Sequence, residues 1–323
     1  MKKTVLASTV AAGLTLSLTA CGTGDDASTD QAISVDNCGD TVTLDGPPEN
    51  VTVLKPAAIT TLSRLGVLDH VTNRAGKYPA EYYDDATNEA LDTIPSITDK
   101  TDESGHLQIS REEVVATDPD LVLGETDTVN RQALASSDIP LIEEPAFCGS
   151  IDGDVTWDDV WDQVRLYGTV FDREDEAEAY VAELQERLKD VDGGDGTGAG
   201  RSIAVLYPTV GGGVTYAYGT GSMAAPVVAA SGAENVYADQ SQRVFEVTAE
   251  DLVDRNPDVI LALYSDGTEN QVVDAVNQIP GIDRTTAGRD RKILPMLLNY
   301  AEPPTPLAVD GLESLDRYLQ EHP

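Results

Sequence analysis

The chain has 323 residues, of which 57 are acidic and 21 basic, for a formal net charge of −36. That excess of acid speaks against nucleic acid or an anionic lipid surface as a charge-driven partner, and it favours solubility, as acidic surfaces do in salt-tolerant organisms. About 300 residues exceed one ordinary core, so two domains are expected.

Met1-Lys2-Lys3 is a short basic start, and Val5 to Leu18 is apolar apart from Ser and Thr. This run is too short to span a membrane durably, and it has the layout of a signal peptide over residues 1–20. It leads into Leu18-Thr19-Ala20-Cys21-Gly22. That stretch resembles the bacterial lipobox, in which the Cys thiol takes a diacylglycerol and the peptide is cut just before it. Cys21 is therefore the expected lipidation site, holding the protein on the extracytoplasmic face of the cell membrane. The alternative is an ordinary signal peptide with an incidental Cys. Loss of Lys2 and Lys3 leaves 19 basic residues against 57 acidic ones, a net charge of −38. Cys38 and Cys148 remain, and disulfides persist in exported proteins. They are predicted to pair, with two buried free thiols as the alternative. The chain-entropy value of such a cross-link is roughly 4–5 kcal/mol as an upper figure.

Residues 21–37 are small, polar and acidic and are expected to form a flexible tether, with order beginning near Cys38. From Thr41 strands and helices alternate. Val51–Leu54, Val71–Ala75, Leu121–Leu123 and Pro140–Ile142 are strand candidates, and Ala57 to Leu65 has helical spacing ended by Gly66. This rhythm predicts a first α/β lobe over 38–153 with a mostly parallel sheet covered on both faces. Thr156 to Val191 is nearly all helix-forming, so residues 154–192 are expected to form a connecting helix, about 50 Å long if continuous. Thr156 and Asp159 mark its start, and Gly168 and Asp172 mark where it would kink or divide. A Gly-rich linker at 193–200 follows a helix and no strand, which argues against a dinucleotide site. The α/β rhythm returns over 201–323, with strands at Ser202–Tyr207, Val214–Tyr218 and Val259–Leu263. Helices are expected at Met223–Ser231 and Leu307–Leu319.

One unit occurs twice, 138 residues apart: Ser110-Arg-Glu112-Glu-Val-Val-Ala-Thr-Asp-Pro119-Asp-Leu-Val-Leu123 and Thr248-Ala-Glu250-Asp-Leu-Val-Asp-Arg-Asn-Pro257-Asp-Val-Ile-Leu261. Each has a hydroxyl residue able to cap a helix, an acid in the first turn, a Pro-Asp stop and a strand. The pattern resembles the ABC-transporter substrate-binding proteins that carry iron–siderophore complexes, haem or cobalamin (periplasmic binding proteins of class III). It covers about Val51 to Leu319. The resemblance implies two Rossmann-like α/β lobes with mostly parallel sheets, joined by a single long helix, with the ligand between them. It also implies that a Glu seven residues before each Pro-Asp pair meets the permease, which assigns docking to Glu112 and Glu250. Tyr218-Gly-Thr-Gly-Ser-Met, Gly232-Ala-Glu-Asn-Val and Arg243-Val-Phe-Glu-Val-Thr also resemble that family's second lobe.

In α/β lobes ligands lie outside the carboxyl ends of the strands. By that rule the cleft residues are Lys55, Tyr78, Tyr82 and His106 on the first lobe, with Tyr83 and Glu125 nearby. On the second lobe they are Tyr216, Arg243 and Tyr264, with Tyr207, Asn299 and Tyr300 nearby. Twelve Tyr against three Phe suits a large ligand that is part aromatic and part polar, and an Arg suits the charge of a ferric complex. His106 could ligate haem, but a Tyr-x-Arg opposite it is missing, so haem ranks below a siderophore. No G-x-S-x-G elbow and no C-x-x-C pair occur, and three His are too few for a His-rich metal site. The expected function is a lipid-anchored, monomeric solute receptor without cofactor or catalysis, handing a ferric siderophore to an ABC permease and its ATPase. Haem or cobalamin binding, or a surface lipoprotein without transport, are the alternatives.

Overall fold

In the computed structural model, residues 32–102, 106–192 and 196–323 are described. The predicted signal peptide and Cys21 lie outside them. Structure begins ahead of Cys38: strand β1 (Ile33–Asn37) pairs antiparallel with β2 (Asp40–Leu44). The last residues assigned to the tether are thus a strand, because Val35 of β1 and Val42 and Leu44 of β2 bury their side chains against the core.

The short apolar runs form two sheets. In the first, β3 (Val51–Val53), β4 (Val71–Arg74), β5 (Leu121–Leu123) and β6 (Leu141–Ile142) lie parallel in the order β4-β3-β5-β6. The second contains β7 (Ser202–Pro208), β8 (Thr215–Tyr218), β9 (Glu234–Asn235), β10 (Val244–Val247), β11 (Val259–Tyr264) and β12 (Ile293–Leu297). Its order is β10-β8-β7-β11-β12, with β9 beside β7. Strands β7, β9, β11 and β12 are parallel, whereas β8 and β10 add an antiparallel flank. All five residues Val259–Leu263 are fully buried, as a strand covered on both faces requires. Period-two alternation sends Val51, Val53, Leu121 and Leu123 to one apolar cluster and Val122 and Leu141 to another.

The connecting segment divides at Asp172, whose φ is 53°. Helix 157–170 ends there and helix 174–192 begins. The two form a hairpin instead of one rod of 36 residues. Gly168 permits their close approach, since a Cβ there would lie 2.6 Å from that of Ala177. Arg165 holds Glu178 across the hairpin at 2.7 and 3.2 Å. The longer helix then meets the closing helix 307–321, where Arg187 binds Asp310 (2.5 Å) and Glu313 (2.8 Å). One apolar cluster runs from Val35 through Val53, Trp161, Tyr167 and Leu184 to Leu315, so the hairpin is core for both sheets.

The repeated unit has the same structure in both copies. Ser110 and Thr248 accept N–H bonds from Glu113 and Asp251 and cap helices 111–115 and 249–255. Each helix is turned off at the residue before Pro, Asp118 (φ 50°) and Asn256 (φ 46°), both left-handed. Asp and Asn tolerate that region better than other non-glycine residues. The Asp after each Pro then ties neighbouring strands together. Asp120 accepts from the Glu49 and Asn50 N–H groups (2.8 and 3.0 Å), just before β3. Asp258 accepts from the Ser202 N–H and hydroxyl (both 2.9 Å), at the start of β7.

Cys38 and Cys148 are joined, their Cα atoms 5.8 Å apart, so the β1–β2 hairpin is bonded to the short helix 145–148. Alkylation without reductant should therefore label neither thiol, and two labelled thiols would refute the bond. Serine at both positions should lower stability by up to roughly 4 kcal/mol, read from denaturant unfolding.

Glu144, after β6, joins the first sheet to the helical hairpin. Its Oε1 accepts from the Tyr167 hydroxyl (3.0 Å) and Gln163 Nε2 (3.3 Å). Burial, then the adjacent Glu143 carboxylate, push its pKa from an ordinary 4.5 up to about 7. A carboxyl raised on folding contributes stability that is complete below about pH 4.5 and is lost as pH rises through about 7. Glu144→Gln should remove that dependence and leave the protein more stable than wild type above pH 7, by roughly 3 kcal/mol at most. Parallel Tm–pH curves for the two proteins would contradict this.

Candidate functional site in the cleft between the sheets

Side chains from the two lobes meet at Phe147: Lys55 from the carboxyl end of the first sheet and Arg243 from the amino end of β10. Lys55 follows β3 and reaches out over Gly124 (φ +96°), where a Cβ would lie 3.2 Å from the lysine Cγ. Its ammonium pairs with Glu143, which follows β6 and whose side chain is 3% exposed. The same Oε2 accepts the Glu125 N–H at 2.8 Å, so the carboxylate is held from two strand ends. Lys55 Nζ also lies 4.4 Å from the centroid of the Phe147 ring. Phe147 sits on helix 145–148, beside the disulfide.

Arg243, just ahead of β10, reaches the same ring from the second sheet, its guanidinium carbon 5.3 Å from the centroid. Its Nη1 bonds Glu302 at 3.0 Å. Glu302 is fully buried and also accepts the Ser222 hydroxyl (2.8 Å) and the Met223 N–H (3.0 Å). Burial raises the Glu302 pKa, and Arg243 is the strongest influence pulling it back. Each lobe thus presents one cation to the same ring, and each cation is anchored by a buried carboxylate.

The tyrosines do other work. Tyr82 is buried, its ring 5.9 Å from Tyr83 and 5.2 Å from Tyr300, and its oxygen accepts the Asn299 N–H at 2.9 Å. Tyr300 donates to the Glu81 carbonyl. With Tyr264, Leu297 and Leu307 they form an apolar seam between the lobes. Burial pushes the Tyr300 phenol up to about 12 and raises Tyr82 and Tyr264 as well, so all three stay neutral in the physiological range. Lys77 and Asp266 close the seam at 2.6 Å. Tyr78 donates its hydroxyl to the Val53 carbonyl (2.9 Å) and serves the backbone at the end of β3. Tyr216 lies on β8 between Tyr207 and Glu246, half-buried.

Of the residues placed by sequence, Lys55 and Arg243 converge, and Tyr82 and Tyr264 meet in the seam with Asn299 and Tyr300. His106 stands apart, 71% exposed with Nδ1 3.6 Å from Asp102. Glu112 and Glu250 are exposed in the first turns of their helices. Glu143, Phe147 and Glu302 were missed. The strand-end rule that selects Glu125 also reaches Glu143 after Pro140–Ile142. Phe147 and Glu302 carry no comparable signal, because only the folded chain brings them to Lys55 and Arg243.

The sequence pattern of the family described as periplasmic binding protein matches residues 51–296. A curated "Cobalamin-binding protein" of Halobacterium salinarum (strain ATCC 29341 / DSM 671 / R1) is 26% identical over 281 residues, 84% of this chain and 69% of the relative. A crystal structure described as an ABC-type Fe3+-hydroxamate transport system, from Saccharomonospora viridis DSM 43017, is 49% identical. It covers 88% of this chain and 98% of its own, with a TM-score of 0.84. The periplasmic heme-binding protein RhuT from Roseiflexus sp. RS-1 shares the fold at 20% identity and a TM-score of 0.67, over 85% of this chain and 98% of its own. With most of its length matched, this chain belongs to the periplasmic binding protein family, whose members are extracytoplasmic solute-binding proteins and not enzymes.

Proposed function

We propose that this protein is the lipid-anchored receptor of an ABC importer, capturing a ferric siderophore between its lobes and delivering it to the permease. The observation that carries the reading is the meeting of Lys55 and Arg243, one from each lobe, at the Phe147 ring. Two donors and an aromatic face suit a complex with an oxygen-rich iron centre and an organic backbone. The 49% identical relative, described as part of an Fe3+-hydroxamate transport system, supports the same ligand class. Cobalamin is the second reading, favoured by the name of the curated relative.

Trp157 and Trp161 stack at 6.1 Å on the helical hairpin and provide a fluorescence signal for titration. Saturable binding of a ferric siderophore, with weaker responses to cobalamin and haem, is the expected result. Saturation by cobalamin or haem alone would overturn the ligand assignment. Lys55→Ala and Arg243→Ala should each weaken siderophore binding by about 1.5–3 kcal/mol, the range for a hydrogen bond to a charged group.

In this reading Cys21 carries the lipid and residues 22–31 begin the tether, which keeps a monomeric receptor near its permease. Cys21→Ser should release the protein from the membrane fraction; unchanged retention would remove the anchor. Glu112 and Glu250 are the permease contacts, because equivalent helices present both to solvent. Exchanging both for Arg should abolish uptake with ligand affinity intact, and unchanged uptake would refute the docking role.

A further inference from the structure

The two cations that meet at Phe147 each already have a carboxylate partner. Lys55 is paired with Glu143 and Arg243 with Glu302, and at the seam Lys77 is paired with Asp266. Glu143 and Glu302 are nearly or fully buried and accept further donors, from the Glu125 N–H and from Ser222 and Met223 respectively. They cannot swing away from their cations without leaving those donors unpaired. Lys55 and Arg243, with side chains 28% and 33% exposed, keep free N–H groups for a ligand. The pair of sites therefore offers hydrogen-bond donors with little uncompensated positive charge.

We propose that Glu143 and Glu302 determine specificity by charge: they make the cleft select ferric complexes of low net charge and reject polyanionic ones. The inference rests on the receptor function proposed above and names the ligand class within it. Three hydroxamate monoanions cancel the charge of Fe3+, so a trihydroxamate complex has a neutral iron centre. Three catecholate dianions overshoot it and leave a trianion. The oxygens of the neutral centre accept from Lys55 and Arg243 while the ligand backbone packs on Phe147. A trianion placed there gains little, because the two cations that face it are already neutralised by buried carboxylates that cannot move away.

The test is a comparison of affinities for a ferric trihydroxamate siderophore and a ferric tricatecholate siderophore, by fluorescence titration of the full chain. Wild type should prefer the trihydroxamate. Glu143→Gln and Glu302→Gln keep the side-chain shape and uncover one cation each, one in each lobe, so the question is asked twice. Each should shift the tricatecholate-to-trihydroxamate affinity ratio by about tenfold or more towards the trianion. Glu186→Gln, which removes the same charge from an exposed site on helix 174–192, should leave the ratio unchanged. Equal or tighter tricatecholate binding by wild type, or the same ratio in both folded variants, would overturn the proposal. So would a shift as large in Glu186→Gln. Binding of neither complex by wild type fails differently: it would sink the siderophore assignment proposed above, and this inference with it.

Discussion

A carboxylate that leaves water must find donors, and Glu143 and Glu302 find theirs in the cations of the cleft. Without Lys55, Glu143 would be an unpaired charge behind three strand ends; without Arg243, Glu302 would be one in the fully buried interior of the second lobe. Breaking a buried pair from one side is far more damaging than never having built it. The same pairs aim Lys55 and Arg243 at a single ring. Local stability and cleft geometry therefore rest on the same two contacts.

The rest of the fold brings those contacts within reach. Parallel strands put Lys55, Glu125 and Glu143 at one end of the first sheet. The second sheet ends its parallel strands at Tyr264 and at the turn carrying Asn299 and Tyr300. The hairpin of helices 157–170 and 174–192 shares one apolar cluster with both sheets. Tyr82, Asn299, Lys77 and Asp266 add direct contacts between the lobes. Because the hydroxyls of Tyr78 and Tyr300 already serve carbonyls, the high tyrosine count explains the seam better than it explains a ligand. The strong acidity has a different character. Most of its ion pairs are exposed, such as Arg64–Glu183 and Lys189–Glu186, and such pairs add little to stability.

Glu144 shows how close this arrangement runs to its electrostatic limit. It lies beside Glu143, yet its side-chain donors among the described residues are the neutral Tyr167 and Gln163. Burial, and then the neighbouring Glu143 carboxylate, push it towards its protonated form. Of the two adjacent acids, Glu143 pairs with the lysine and Glu144 with neutral donors.

Much of this was legible in the sequence. Helix and strand periodicity, the caps at Ser110 and Thr248 and the 138-residue repeat are local patterns, and they carry the two-lobe α/β architecture by themselves. The pairing of Cys38 with Cys148 followed from cysteine arithmetic in an exported chain. Lys55 was reachable because it follows a parallel strand at its carboxyl end, whereas Arg243 precedes β10 and no strand-end rule selects it. Tertiary structure decided what lies opposite each residue. It placed Phe147 between two cations, gave Glu143 and Glu302 their partners, and folded the connecting helices back at Asp172. It also brought β1 out of the presumed tether, since a strand with only three buried apolar side chains in its hairpin looks like linker until a core is there to cover it. Local propensity depends on neighbours in the chain, whereas charge pairing and packing depend on neighbours in space, which no spacing rule supplies.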